Sequence, residues 1–239
     1  MTSRGRLYAG TSGFAYKEWK GPFYPDDLKD REMLAFYSGK FPSVEVNYTF
    51  RRLPSEKALE TWREQSADGF QFTLKASQRI THFKRLKEAG DDIDEFVRRA
   101  RLLGDRLGLI FFQLPPNFEF DGPRFESFLA ALPPVCRYAI EFRNSTWATE
   151  EVSQMLSGSG VALCGADTAE SELQSIPATA PFSYLRLRRE DYSDEDVDMW
   201  GKRVAAMLDD RRDVYCYFKH EGGGVGPRYA TRLMEAASG

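Results

Sequence analysis

The stretch "YAIEFRNSTW", residues 138–147, combines the pattern of a buried strand with two charged side chains. Glu141 and Arg143 alternate with apolar residues, and alternate side chains of a strand lie on opposite faces of the sheet. One face of this strand is therefore apolar, whereas the other face carries two opposite charges. The fold must contain a surface that receives both of them.

Seven further segments of the chain also have the composition of strands. The eight candidates begin near residues 7, 44, 70, 107, 138, 160, 183 and 214. Amphipathic stretches that favour helices lie at 30–41, 54–65 (with Ser55 as its cap), 91–107, 122–132, 149–160, 193–210 and 226–238. The connection 168–180 is a weaker helix, which we expect to be short or irregular.

This alternation of strand and helix predicts a parallel sheet covered by helices. Eight repeats within 239 residues favour a single (β/α)8 TIM-type barrel, which forms one domain over residues 1–239. A doubly wound open sheet is the alternative. The first strand is not followed by a GxGxxG motif, which argues against dinucleotide binding.

The composition is that of an ordinary globular protein, with 42% hydrophobic and 29% charged residues. A net charge of −3 disfavours a dedicated DNA-binding protein. The three cysteines are widely spaced and suggest neither a zinc site nor a disulfide framework. The N-terminus has no apolar signal region and no run reaches membrane-spanning length, so we expect a cytoplasmic protein without a membrane partner.

In a barrel, the apolar face of each strand packs against the helices and the other face points into the lumen. On nearly every strand, the polar side chains at alternate positions then point into the lumen. This inward set comprises Glu45, Asn47, Thr73, Lys75, Ser77, Gln113, Glu141, Arg143, Asp167, Arg186, Arg188, Tyr215, Tyr217 and Lys219. Buried charges must pair or reach water. The set therefore forms either a structural ion-pair network or a polar barrel mouth that binds a ligand, and we favour the mouth.

Four of these residues are candidates for acid/base catalysis. They are Glu141, Lys75, Glu45 and Asp167, whose pKa values burial and neighbouring charges can separate. The same carboxylates, with His82 or His220, could hold a single divalent metal, although the sequence does not require one. Two histidines are too few for a trinuclear zinc site.

The ends of the seventh and eighth strands carry the features of an anion site. Arg186, Arg188 and Arg189 end one strand, and Lys219 precedes the glycine-rich segment "EGGGVGPR". TIM barrels often bind phosphate between these two loops, where glycines allow close backbone approach. The alternative is a flexible loop with solvated arginines. The predicted ligand-binding residues are Ser12, Asn47, His82, Gln113, Arg143, Trp147, Arg186, Arg188, Lys219, Gly223 and Gly224.

Five motifs that occur in order along nearly the whole chain support a family resemblance. They are "GTSGFAYKEWKGPFYP" (10–25), "EVNYTFRRLP" (45–54), "TLKASQRITH" (73–82), "FFQLPP" (111–116) and "EFRNSTW" (141–147). Together they resemble the YecE-like family, a domain of unknown function with a TIM-barrel fold. The resemblance implies the barrel but supplies no catalytic residue. Many relatives carry a His-Gly pair after the seventh strand and an Asn-rich segment after the eighth, where this chain has "RLRRED" and "YFKHEGGG".

Three hypotheses follow for the function. The first is binding of a small anionic ligand, phosphorylated or sugar-like, at the barrel mouth, with acid/base catalysis as an accompanying activity. The second is nucleic-acid binding or processing, in which loop aromatics stack on bases. The third is a non-catalytic ligand sensor, because a fold does not determine a function.

Overall fold

The eight predicted strands form one sheet in the computed structural model, which describes residues 4–169, 173 and 178–239. The strands are β1 (Leu7–Thr11), β2 (Ser43–Val46), β3 (Gln71–Lys75), β4 (Leu107–Gln113), β5 (Arg137–Glu141), β6 (Ala162–Asp167), β7 (Phe182–Leu187) and β8 (Asp213–Phe218). All pairings are parallel, and the order is β1-β8-β7-β6-β5-β4-β3-β2.

The two ends of this sheet meet between β1 and β2, where the chain makes a short contact instead of a full ladder. Ser12 forms a bridge with Glu45, and the amide of Gly13 donates to the Glu45 carbonyl over 2.8 Å. Gly10 permits this approach, because a Cβ on it would lie 2.0 Å from the Ser43 carbonyl oxygen. The nearly closed barrel confirms the predicted fold, and the open doubly wound sheet is wrong.

Helices follow the strands as the sequence pattern predicts. They are α1 (Met33–Ser38), α2 (Tyr48–Arg51), α3 (Glu56–Gln65), α4 (Gly90–Ala100), α5 (Gly122–Ala130), α6 (Glu150–Ser159), α7 (Asp194–Asp209) and α8 (Val225–Ser238). Ser55 caps α3 as predicted, since its hydroxyl accepts a hydrogen bond from the Ala58 amide. The expected weak helix over 168–180 lies largely outside the described residues.

One segment departs from its predicted structure. The β-rich segment "VEVNYTF" predicts a second strand over residues 44–50, but the strand ends at Val46 and the chain turns into the short helix α2. The hydroxyl of Thr49 stabilises this turn by donating to the carbonyls of Val46 (3.0 Å) and Lys75 (2.6 Å). The turn brings the side chains of α2 to the mouth of the barrel instead of onto its outer face.

The core has two parts. The larger part lies between the sheet and the helices, and the smaller part fills the lumen. The lumen part comprises Leu109, Phe111, Ala139, Ala162, Phe182, Tyr184, Tyr215 and Tyr217. These side chains close the lower lumen, so polar groups nearer the carboxyl ends of the strands stand over an apolar floor. In the described part of the chain, no helix is both long and apolar enough to cross a membrane.

Candidate functional site

The carboxyl ends of the strands surround a buried arginine. Arg186 lies on β7 with 2% of its side chain exposed, and its Nη2 donates to Glu45 Oε1 over 2.9 Å. On the other side of the guanidinium, Nη1 donates to Glu141 Oε2 over 2.6 Å and to Gln113 Oε1 over 3.2 Å. We refer to Glu45, Gln113, Glu141 and Arg186 as the lumen cluster. Four strands are thereby linked through one side chain.

Glu141 is the carboxylate with the most cationic neighbours. Besides Arg186, its Oε1 accepts from Arg143 Nε over 3.0 Å and from Arg188 Nη1 over 3.2 Å. Burial alone would raise the pKa of Glu141, but the charges of Arg186, Arg143 and Arg188 outweigh it and lower the pKa below its ordinary value. Glu141 is therefore ionised at neutral pH.

Glu45 is fully buried and also ionised. Its carboxylate accepts hydrogen bonds from Ser12 Oγ (2.6 Å), from Asn47 Nδ2 (3.1 Å) and from the Tyr184 hydroxyl. Burial would raise the pKa of this carboxyl group, but the charge of Arg186 and the hydrogen bonds lower it to about 2. A carboxylate with this many donors is held in one position.

Lys75 lies beside the lumen cluster but is not paired with either carboxylate. Its Nζ donates to Gln113 Oε1 over 3.0 Å and stands 4.4 Å from the centre of the Phe50 ring. Among the described residues, no carboxylate oxygen lies within 4 Å of this nitrogen. Burial and the nearby charge of Arg186 lower the pKa of Lys75 to about 8. Its amine consequently titrates close to neutral pH.

An open pocket of about 500 Å³ lies over these groups. Lys75, Gln113, Arg143, Arg186 and Lys219 reach it from the strand ends, and the loops contribute Tyr16, Asn47, Tyr48, Phe50, Arg51 and Glu221. This volume is suited to a small molecule. The pocket places six of the predicted site residues on one surface, and Ser12, Glu45, Glu141 and Arg188 lie directly behind it through the contacts above.

Among the residues that the structure describes, positive charge exceeds negative charge in this mouth. Five cationic side chains, namely Lys75, Arg143, Arg186, Arg188 and Lys219, accompany the two carboxylates of the lumen cluster. At the rim, the formal charges of the exposed Arg51 and Glu221 cancel. Burial and the charges of Arg188 and Arg186 lower the pKa of Lys219. An excess of cations in one pocket favours an anionic ligand.

Asp167 does not face the lumen, so its predicted orientation is wrong. Its Oδ2 accepts from the Tyr192 hydroxyl (2.9 Å) and from Trp200 Nε1 (3.2 Å) on the outer side of the sheet, and Arg189 Nε lies 3.2 Å away. We refer to Asp167, Arg189, Tyr192 and Trp200 as the outer cluster. On β6 the inward residues are the small Ala162 and Cys164, which pack on the lumen core.

Trp147 was predicted to lie over the opening as a ligand contact, and the structure places it elsewhere. It is 2% exposed, stacks on Phe142 at a centroid distance of 4.5 Å and donates from Nε1 to the Phe118 carbonyl over 2.7 Å. Phe120 and Phe125 complete an aromatic cluster around it. Trp147 therefore holds its loop against the outer core.

The glycines of the predicted phosphate loop also lie away from the pocket, although Glu221 at the start of that loop lines it. Gly223 and Gly224 adopt positive φ angles of 57° and 68°, and Gly224 packs so closely on Pro22 that a Cβ would approach it to 2.8 Å. Neither glycine lines the mouth pocket. Arg189 is drawn outward by Asp167 and Asp196, which leaves Arg186 and Arg188 as the mouth arginines of β7.

The two histidines differ in position. His82 follows β3, packs edge-on against Phe50 at 4.9 Å and contacts Thr81 Oγ1 through Nδ1 over 2.9 Å. Burial and the charge of Lys75 lower its pKa. His220 contacts the Arg189 carbonyl and packs on Tyr229 outside the barrel. Within residues 4–169, 173 and 178–239, no three His, Cys, Asp or Glu side chains converge to form a metal site.

Sequence reasoning missed several residues of the site, among them Tyr184 and Phe50. Tyr184 donates to Glu45 from inside the lumen, and it could have been found because it precedes Arg186 by two positions on β7. Phe50, which forms the apolar wall beside Lys75, was missed because its segment was assigned to a strand. The helical turn α2 is what brings Phe50 to the mouth.

The fold and the charged mouth define a TIM-barrel protein with a polar pocket at the carboxyl ends of its strands. A model of the family "Protein of unknown function DUF72" matches residues 8–239, so the chain belongs to that family. The chain is 30% identical to the UPF0759 protein YecE of Escherichia coli K12 over 154 residues, which are 63% of this chain but only 56% of that relative. It is 21% identical to the UPF0759 protein YunF of Bacillus subtilis, over 96% of this chain and 94% of the relative.

Solved structures of the family share the fold. A DUF72 protein from Thermotoga maritima superposes with a TM-score of 0.79 at 24% identity, covering 98% of this chain and all of that one. A second, from Enterococcus faecalis, has a TM-score of 0.78 at 15% identity over 99% of both chains. These comparisons confirm the YecE-like resemblance and the barrel.

Proposed function

We propose that this protein binds a small anionic ligand, phosphorylated or sugar-like, at the mouth of its barrel. The observation that carries the proposal is the charge of the pocket. Three of its cationic side chains, Lys75, Arg143 and Lys219, line an open volume of about 500 Å³. Only Arg143 among these three is within 4 Å of a carboxylate in the described residues. An anion would balance the two free amines.

Unsatisfied polar atoms at the mouth support the same proposal. Asn47 Oδ1 and Arg188 Nε are both buried, and neither has a hydrogen-bond partner among the described residues. Buried polar groups without partners are rare, and they are often found where a ligand or water binds. A sugar-like ligand would offer hydroxyl groups to Asn47, whereas an anionic oxygen would suit Arg188.

In the proposed site, Lys75 is the acid/base group. Glu45 and Glu141 have lowered pKa values and stay ionised, so they serve as anchors for Arg186 and not as proton donors at neutral pH. Lys75 has a pKa of about 8 and lines the pocket. A group that titrates near the working pH is suited to proton transfer.

Titration with inorganic phosphate and sulfate, followed by calorimetry and by amide chemical shifts, tests the proposal. Arg143→Gln and Lys219→Gln should each weaken binding about tenfold, because each removes one charge-assisted contact. Arg228→Gln is the matched control, since Arg228 is exposed and lies outside the mouth. Its nearest carboxylate contact is with Asp194, at 3.8 Å. The proposal fails if the wild type binds neither anion, or if the Arg143→Gln/Lys219→Gln double variant binds both as tightly as the wild type.

Nucleic-acid binding is the second candidate because two aromatic side chains are exposed near the mouth. Tyr48 is 54% exposed in α2, and Phe83 is 73% exposed in the loop after β3. Exposed aromatics beside cationic groups can stack on bases. A single-stranded oligonucleotide in the same titrations distinguishes the two candidates: tighter binding than phosphate with a steep salt dependence, lost in Phe83→Ala, would favour nucleic acid.

A further inference from the structure

Lys75 has the surroundings of a nucleophilic amine. Its Nζ is oriented by a single hydrogen bond to Gln113 Oε1 and faces the ring of Phe50. Gln113 Oε1 also accepts from Arg186 Nη1, so two donors hold the amide oxygen in place. The lysine is partly exposed to the pocket and has no carboxylate within 4 Å in the part of the chain that the structure describes. No ion pair therefore has to break before the amine reacts.

The charges around Lys75 favour its neutral form. Burial lowers its pKa first, the charge of Arg186 lowers it further, and Glu45 and Glu141 oppose this only in part. With a pKa of about 8, on the order of a tenth of the amine is neutral at pH 7. An exposed lysine has a neutral fraction of well under a hundredth at that pH. Lysines beside other cations are activated as nucleophiles in this way.

We propose that Lys75 forms a Schiff base with an aldehyde or 2-oxo acid that carries an anionic group. This inference rests on the proposed function, because the cations of the mouth would hold the anionic group. Arg143 and Lys219 line the same pocket as Lys75, so an anionic group that they held would share one open volume with Nζ. The substrate class is thereby narrowed from small anions in general to anionic carbonyl compounds.

The reaction balances without a further reactant. The lone pair of the neutral amine attacks the carbonyl carbon, a C–N bond forms, and the π electrons of the carbonyl group move to its oxygen. That oxygen gains a proton and the nitrogen loses one through the water of the open pocket. The resulting hydroxyl group takes up a second proton and leaves as water, which gives a protonated imine. The anionic group of the substrate offsets the new positive charge.

Reductive trapping tests this inference on the intact chain. The protein is incubated at pH 7 with glyoxylate, or with acetaldehyde as a neutral comparison, then treated with borohydride and mapped by peptide mass spectrometry. We expect Lys75 to be labelled at least about tenfold faster than the exposed Lys57, because its neutral fraction is larger. Glyoxylate should label Lys75 faster than acetaldehyde does, and Arg143→Gln should reduce that difference.

Two measurements distinguish a loss of lysine reactivity from a failure of the variant to fold. Lys75→Met should lose the fast label while Lys57→Met keeps it, and the far-ultraviolet circular dichroism of both variants should match that of the wild type. The labelling rate at Lys75 in the wild type should rise with a midpoint near pH 8, which requires no variant. A midpoint above about pH 10, as for an ordinary lysine, or labelling no faster than at Lys57 with either carbonyl compound, would overturn the inference.

The outcomes also separate this inference from the proposed function. Phosphate binding without fast labelling of Lys75 refutes the nucleophile and leaves the anion site intact. Fast labelling by acetaldehyde and glyoxylate at equal rates, without phosphate binding, refutes the anion site and the anionic substrate. Fast labelling that prefers glyoxylate, together with phosphate binding, supports both.

Discussion

Two buried carboxylate–arginine clusters in the described part of the chain differ in what surrounds them. In the lumen cluster, Arg186 contacts Glu45 and Glu141 beneath an open pocket. In the outer cluster, Asp167 is enclosed by Arg189, by the side chains of Tyr192 and Trp200, and by the helix α7. Both clusters contain buried charge, yet of the two only the lumen cluster adjoins cations that have no carboxylate partner among the described residues.

The comparison teaches that buried charge does not by itself mark a functional site. The outer cluster contains one cation, Arg189, for one carboxylate, Asp167, and Arg189 also pairs with the neighbouring Asp196 at 3.0 Å. Around the lumen cluster, cations outnumber carboxylates, and Lys75 and Lys219 remain without carboxylate partners in the described residues. The excess charge and the open volume, not the ion pairs, are what support the proposed anion site.

Replacement of Arg186 should have the largest effect. Arg186→Met leaves two buried carboxylates without their shared cation, and we expect it to lower the free energy of unfolding by about 3–5 kcal/mol. Urea denaturation measures this change. Arg189→Met, at a residue that is 26% exposed, is the matched control and should cost less. A loss below about 1 kcal/mol for Arg186→Met would show that the lumen cluster does not organise the mouth.

Asp167→Asn should have an intermediate effect confined to stability. The amide keeps the shape of the carboxylate but weakens the bonds from Tyr192 and Trp200, so we expect a loss of about 1–3 kcal/mol. The affinity for phosphate should stay within about twofold of wild type, because the side chain faces away from the pocket. A clear fall in phosphate affinity in the folded variant would contradict the view that the outer cluster is separate from the ligand pocket.

The smallest expected effect, taken per pH unit, is on the free energy of unfolding at acid pH. The folded-state pKa of Glu45 is about 2, below its ordinary value of 4.5, so its contribution to stability is present above pH 4.5 and is lost as the pH falls towards 2. Relative to Glu45→Gln, the wild type should lose at most about 1.4 kcal/mol more per pH unit in this window. Urea unfolding curves between pH 2 and pH 5 measure the difference. Equal slopes for the two proteins would contradict the ionised state of Glu45.

The alternation of the sequence was sufficient to predict the barrel and much of the candidate site. On β5 and β7, strongly apolar side chains such as Ile140 and Leu185 alternate with charged ones such as Glu141 and Arg186. The contrast between the two faces is large, so the inward face can be assigned from the sequence. For the same reason, Lys75 on β3 was placed correctly at the mouth.

Tertiary contacts determined the side-chain directions that this local contrast does not specify. On β6, "ALCGAD" offers small or apolar residues on both faces, so the pattern did not fix the direction of Asp167, and packing against Tyr192 and Trp200 did. Trp147 and Phe50 lie after strand ends, where the path of the loop and not strand parity sets the side chain. The sequence by itself determined the eight repeats and the polar lumen, because periodicity and hydrophobic contrast are local. Contacts between distant segments determined which charges pair around Arg186 and which cations remain free to meet a ligand.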